Sequence, residues 1–236
     1  MKKTSNLTLL FIAQILLICR FASLKLTNII IIILLAIVFY RSEYKKSKSM
    51  IAALVLGIIG LAISFTIIVF ISSTSLFSLI DLITKIANNK DNNTSLYIED
   101  LRLLGDTLRK YTIFISISEL VSFSALGSAI SIMSYKEAKD KKYQKKQLIL
   151  FIIALILLVV TLLFGLIGIN NTIYALTHCI TDNKDNIFTA EFNLYGLIGT
   201  IFTFMAILPG IAHFILLVFE AIAIKKCDIK IVNIES

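Results

Sequence analysis

The sequence predicts an all-α, polytopic membrane protein: a transmembrane helical bundle of about six spans, with N and C termini cytoplasmic and amphipathic helices in the first long external loop. Three observations carry that expectation. Of 236 residues 58% are hydrophobic and 16% charged, and the mean hydropathy is +0.90, whereas an ordinary soluble domain is roughly 45–50% apolar and about 25% charged. The apolar residues gather into runs at 7–19, 26–40, 50–72, 111–135, 147–169 and 194–224, and about 20 helical residues cross a hydrocarbon core. The positive charge stands beside those runs rather than on a separate domain. A β-barrel is excluded, since its strands alternate polar and apolar residues.

The first run follows Lys2 and Lys3 and is short, so it reads as a span, a signal anchor or the core of a cleaved signal. Ile18 before Cys19 and Arg20 after it fit neither a lipoprotein signal nor a small-residue cleavage site. Run 26–40 extends only about 22 Å as a helix and requires local thinning or snorkelling by Lys25 and Arg41. Basic residues then mark four cytoplasmic places: Lys2 and Lys3; Arg41 with Lys45, Lys46 and Lys48; the stretch from Lys136 to Lys146; and Lys225 with Lys226. The intervening stretches 73–110 and 170–195 lack a positive excess and are expected outside.

External loop 73–110 has its own periodicity. Tyr97, Leu101, Leu104 and Leu108 share one helical face, with Arg102 and Asp106 paired at i and i+4 on another, and Leu76, Leu79, Ile80 and Ile83 form a similar stripe. Two amphipathic helices joined by the Asn88–Ser95 turn would cap the bundle. The chain is expected to be a single membrane domain over 1–236. It reads as an N-terminal hairpin or signal anchor plus span (1–49), a span pair with its external loop (50–135), and a second span pair with loop 170–195 and a short tail (136–236). Residues 45–135 and 145–226 repeat one topological unit.

Small residues punctuate the spans. Ala53, Gly57, Gly60 and Ser64 share one face of the run at 50–72, and Ser124, Gly127, Ser128 and Ser131 share one face of the run at 111–135. Such faces admit a neighbouring backbone and are assigned to helix packing, as is Gly210. The residues from Met50 to Ser64, with Ala125 to Ser131 leading into Lys136, resemble bacterial two-span domains of unknown function with a Gly-punctuated first helix. That resemblance implies membrane insertion and no active site.

Three ionisable residues fall inside spans: Glu119, His213 and Glu220. Such groups are expensive in hydrocarbon and default to a functional hypothesis. Glu119, flanked by Ser116 and Ser122, is the leading candidate for a proton- or cation-responsive group. Thr203, Ala206, Gly210, His213 and Glu220 share a face of the last run, where Pro209 frees a carbonyl. The opposing structural expectation is that His213 bonds a neighbouring carbonyl and that Glu220 snorkels to the cytoplasmic surface beside Lys225 and Lys226.

Other chemistries find no support. The net charge of +8 flanks spans, so nucleic acid is not expected as a partner. The runs contain no Asp and the chain no HExxH, which leaves no catalytic residue to name, and no phosphate-binding loop is present. Cys19, Cys179 and Cys227 form no pair, and His178 beside Cys179 lacks further zinc ligands, so neither a metal nor a cofactor is expected. The triplets at 92–94, 93–95 and 170–172 match a glycosylation acceptor and matter only in a eukaryote. Heavy use of Ile, Lys and Asn points to an AT-rich genome and toward a bacterial plasma membrane. Scarce polar residues in the spans favour a non-enzymatic subunit or accessory of a membrane complex, with a protein partner or a second copy of the chain beside the lipid. The alternative is a small transporter or channel using Glu119 and the His213 face.

Overall fold

With no water to satisfy backbone N–H and C=O groups, apolar runs rich in Ile, Leu and Val close their hydrogen bonds internally and become helices. The computed structural model of the chain describes residues 5–19, 26–70, 76–89, 94–138, 141–180 and 189–235. The helices are α1 (Asn6–Cys19), α2 (Leu26–Arg41), α3 (Lys48–Phe70), α4 (Leu76–Asn89), α5 (Thr94–Glu137), α6 (Lys141–His178) and α7 (Ala190–Glu235). Among the described residues, Ile98–Glu137, Tyr143–His178 and Glu191–Cys227 are long and apolar enough to cross a membrane. Asn6–Cys19, Thr27–Arg41 and Lys48–Ile63 are shorter apolar helices. Arg20, Lys25 and the 90–93 part of the expected turn lie outside the described residues.

Two boundaries differ from the sequence expectation. The second amphipathic segment of 73–110 is no separate element, because α5 runs unbroken from Thr94 to Glu137. Nor does an external loop begin at residue 170: α6 continues to His178. The reason is local. Asn170, Asn171, Thr172 and Thr177 donate their side-chain hydrogens to the carbonyls of Leu166, Ile167, Gly168 and Ile173, four residues back. Residues that usually compete with a helix here bond onto it. The triplet at 170–172 is therefore helical.

The chain divides into two compact units: Met1–Phe65 with Glu119–Val159 and Gly210–Ser236, and Thr66–Ser118 with Val160–Pro209. In the first, buried residues recur every three or four positions on each helix: Leu7, Leu10, Gln14 and Leu17 on α1; Asn28, Ile31, Leu35 and Val38 on α2. Ser122, Leu126, Ala129 and Met133 do so on α5, Gln147, Phe151, Ala154 and Leu158 on α6, and His213, Leu217, Glu220, Ile224 and Cys227 on α7. That spacing is the seam of left-handed, near-parallel helix packing. It also shows that polar side chains are not scarce in the interior, contrary to the sequence expectation.

Directions follow from the contacts. Asn6 of α1 bonds Glu137 of α5 and Leu17 lies near Gly127, so α1 and α5 run antiparallel. Gly57 faces Ala129 and Gly60 faces Ser122, which sets α3 antiparallel to α5 as well. Phe123 meets His213 and Ser131 meets Glu220, making α5 and α7 parallel. Side chains finish the short connections: Ser47 caps α3 by accepting from Met50 N at 3.4 Å, and Gln144 Nε2 donates to the α5-terminal carbonyls of Tyr135 and Ala138.

In the second unit α6 and α7 are antiparallel, with Phe164 edge-on to Phe202 and Tyr174 against Tyr195. There Asp106 pairs with Arg109 at 3.6 Å and His178 at 3.5 Å rather than with Arg102. Arg109 lies over the Tyr174 ring, on which His178 stacks at 4.6 Å.

Candidate functional site

Two buried polar residues of the first unit, Gln14 and Ser131, converge on Glu220. A helical period brings it inward: it stands three residues after Leu217 and four before Ile224, both buried, and is itself 1% exposed. Ser131 of α5 donates its hydroxyl to Oε1 at 2.5 Å, and Gln14 of α1 donates Nε2–H to Oε2 at 2.9 Å. Three helices thus meet on one carboxyl group. Among the described residues neither Lys nor Arg forms an ion pair with it; the ammonium of Lys225, five residues on, lies over the Phe11 ring at 5.4 Å. The expectation that Glu220 snorkels to the surface is therefore corrected. A side chain on the inward stripe cannot reach solvent when α1 and α5 close over it.

Buried acceptors on α1 and α7 are left over. Among the described residues Gln14 Oε1 has no hydrogen-bond partner, and neither does His213 Nε2. His213 Nδ1 lies 2.7 Å from the carbonyl oxygen of Ala154 on α6, and because a carbonyl only accepts, Nδ1 carries the hydrogen. In the neutral ring Nε2 is then a bare acceptor. Phe123 packs against the ring edge-to-face at 5.2 Å.

The other candidates are distributed differently. Glu119 is half-buried on α5, and Ser122 donates to the Gly60 carbonyl at 3.0 Å. Nor is Glu119 near a helix end, since α5 begins at Thr94. Thr203 is exposed, belongs to the second unit and bonds the carbonyl of Gly199, whereas His213 and Glu220 belong to the first. α7 passes through Pro209 without interruption.

Of the small residues, Ala53 is buried, and a methyl on Gly57 would meet Ile32 at 2.9 Å. On Gly60 one would lie 3.1 Å from Ser122 O, and on Gly127 it would meet Phe151 at 2.7 Å. Ser124 bonds the Val121 carbonyl, and Ser128 and Gly210 are half-buried. The side chain of Ser64 lies outside the described residues. Ser131, assigned to helix packing from the sequence, contributes a hydrogen bond to the polar centre.

Gln14 was not singled out in the sequence, although its place between Leu10 and Leu17 at spacings of four and three marks it as inward-facing. Asn28 and Gln147, both buried, occupy equivalent places on α2 and α6.

No family model matches the chain, and no curated protein or solved structure shows significant similarity to it.

Proposed function

We propose that the chain is a six-span, non-enzymatic membrane protein of the transporter or channel class, with both termini cytoplasmic and Glu220 as its functional centre. The observation that carries this reading is the carboxyl group of Glu220, withdrawn from solvent and held by donors from two other helices, with no cationic partner among the described residues. Ionisable side chains in spans are expensive and mark ion or proton paths. The directions of α1 and α3, opposite to those of α5 and α7, support six crossings. So does the shared position of three basic-flanked ends, since Asn6 meets Glu137 beside Lys136 and Phe11 meets Lys225. Such ends belong on the cytoplasmic side, in a bacterium that of the plasma membrane.

A second reading, an accessory subunit or homo-oligomer, is favoured by one feature. Phe204 and Leu208 of α7 are 67% and 76% exposed within the chain, leaving apolar surface for lipid or a partner span. Reconstitution into liposomes separates the two. Solute or cation flux above protein-free vesicles under an imposed gradient supports the first; absence of flux under proton, sodium and potassium gradients removes it.

A further inference from the structure

Resting on that reading, we propose that the ligand of the Glu220 centre is the proton, and that Gln14 is the positioning residue that accommodates both forms of the carboxyl group. Gln14 offers Nε2–H to Oε2 at 2.9 Å, while its Oε1 is buried and unpartnered. A carboxylate only accepts, and a protonated carboxyl also donates. Rotating the Gln14 amide by half a turn about its terminal bond exchanges Nε2 for Oε1 at the same place. The first orientation serves the carboxylate. The second gives a proton on Oε2 an acceptor at unchanged distance, with no helix displaced.

The step balances simply: a hydronium ion gives up one O–H bond, Oε2 gains one, a water molecule leaves, and no electron is transferred. A hard metal cation takes about six oxygen ligands. The described side chains at the centre supply the two carboxylate oxygens, Ser131 Oγ and, after rotation, Gln14 Oε1. Among the described residues no three His, Cys, Asp or Glu side chains cluster to hold a metal.

The other titratable or charged groups on these elements in the unit are few. α5 carries Glu119, Lys136 and Glu137, the last accepting from Asn6, and also Tyr135. α7 carries His213, whose bare Nε2 is a second proton acceptor two turns away on the same stripe, and Lys225, Lys226, Cys227, Asp228, Lys230 and Glu235. α1 carries Cys19.

The test is infrared difference spectroscopy on the full chain in lipid vesicles, stepping pH with and without sodium or potassium chloride. The expected result is a protonated-carboxyl band that grows as pH falls, is accompanied by a side-chain amide change, and ignores the alkali cation. Glu220→Gln should abolish the band. Gln14→Leu should keep it, shifted in frequency, and lose the amide change. Absence of a titrating band in the wild type, its survival in Glu220→Gln, or its displacement by sodium at constant pH would each overturn the proposal. Vesicles showing flux without a titrating band sink this inference and keep the transport reading. A titrating band without flux does the reverse.

Discussion

Gly168 of α6 and Gly199 of α7 pack backbone against backbone: a β-carbon placed on either would lie 3.0 Å from the carbonyl oxygen of the other. The approach is reciprocal, because such a β-carbon on Gly168 would overlap Thr203 Oγ1 and one on Gly199 would overlap Thr172 Oγ1. Both helices carry the same string, Gly-Leu-Ile-Gly followed by Thr four places on, at 165–172 and 196–203. In an antiparallel pair, that repetition makes one glycine seat the other helix's threonine.

The two glycines of each string should therefore behave oppositely. A β-carbon on Gly165 or Gly196 meets nothing within 4 Å. Gly165→Ala and Gly196→Ala are expected to leave stability unchanged or raise it by up to about 1 kcal/mol through helix propensity. Gly168→Val and Gly199→Val should each lose about 1–3 kcal/mol by overpacking. Denaturation of the four variants in mild detergent measures this, and equal losses at all four positions would refute the crossing.

A second close approach predicts a smaller effect. Ser122 donates to the Gly60 carbonyl between α5 and α3 at 3.0 Å, and interhelical hydrogen bonds in membranes contribute about 0.6 kcal/mol. Ser122→Ala should cost about that much. Gly60→Leu should cost several times more, because its side chain would strike Leu126 and the Ser122 backbone. The same unfolding measurement ranks them, and a reversed order would contradict the packing.

In the second unit His178 is held by stacking on Tyr174, a 2.9 Å contact with Thr177 Oγ1 and the Asp106 carboxylate. Asp106 is half-exposed, and exposed pairs contribute about 1 kcal/mol or less. His178→Ala should accordingly loosen this end of α6 more than Asp106→Asn does. Amide hydrogen exchange over residues 170–178 is the measurement. Greater loosening by Asp106→Asn would show that charge, not stacking, holds the ring.

The helices were legible because long apolar runs permit few alternatives: five of the six runs each lie within a helix, and the run at 50–72 is helical as far as Phe70, where the described residues of α3 end. Less legible was the extent of α5 and α6. Asn170 and Asn171 read as loop formers until their side chains are seen bonding carbonyls one turn back. The polar centre was harder still. Glu119 and Glu220 look alike in sequence, since each is a lone carboxyl in an apolar run, and the difference lies in partners 89 and 206 positions away. No local pattern encodes such a distance. Gln14 was within reach from its spacing, as was the repeated string of α6 and α7.

Orientation is tested by labelling. In a Cys19→Ser background, because Cys19 is exposed while Cys179 and Cys227 are buried, Lys45→Cys should react with an impermeant thiol reagent only from the cytoplasmic side. Asn88→Cys should react only from the outside. Both positions are exposed in the structure. Reaction of Asn88→Cys from the cytoplasmic side alone would overturn the proposed topology.

Glu220 and Glu119 should part company on substitution, and so should function and packing. Glu220→Gln keeps an amide oxygen and nitrogen where Gln14 and Ser131 bond, so folding should survive with a loss of no more than about 1 kcal/mol. Flux in liposomes, measured on protein shown to be folded, is the decisive comparison. The expected result is loss of flux in Glu220→Gln and near wild-type flux in Glu119→Gln; full flux in Glu220→Gln with loss in Glu119→Gln would contradict the account.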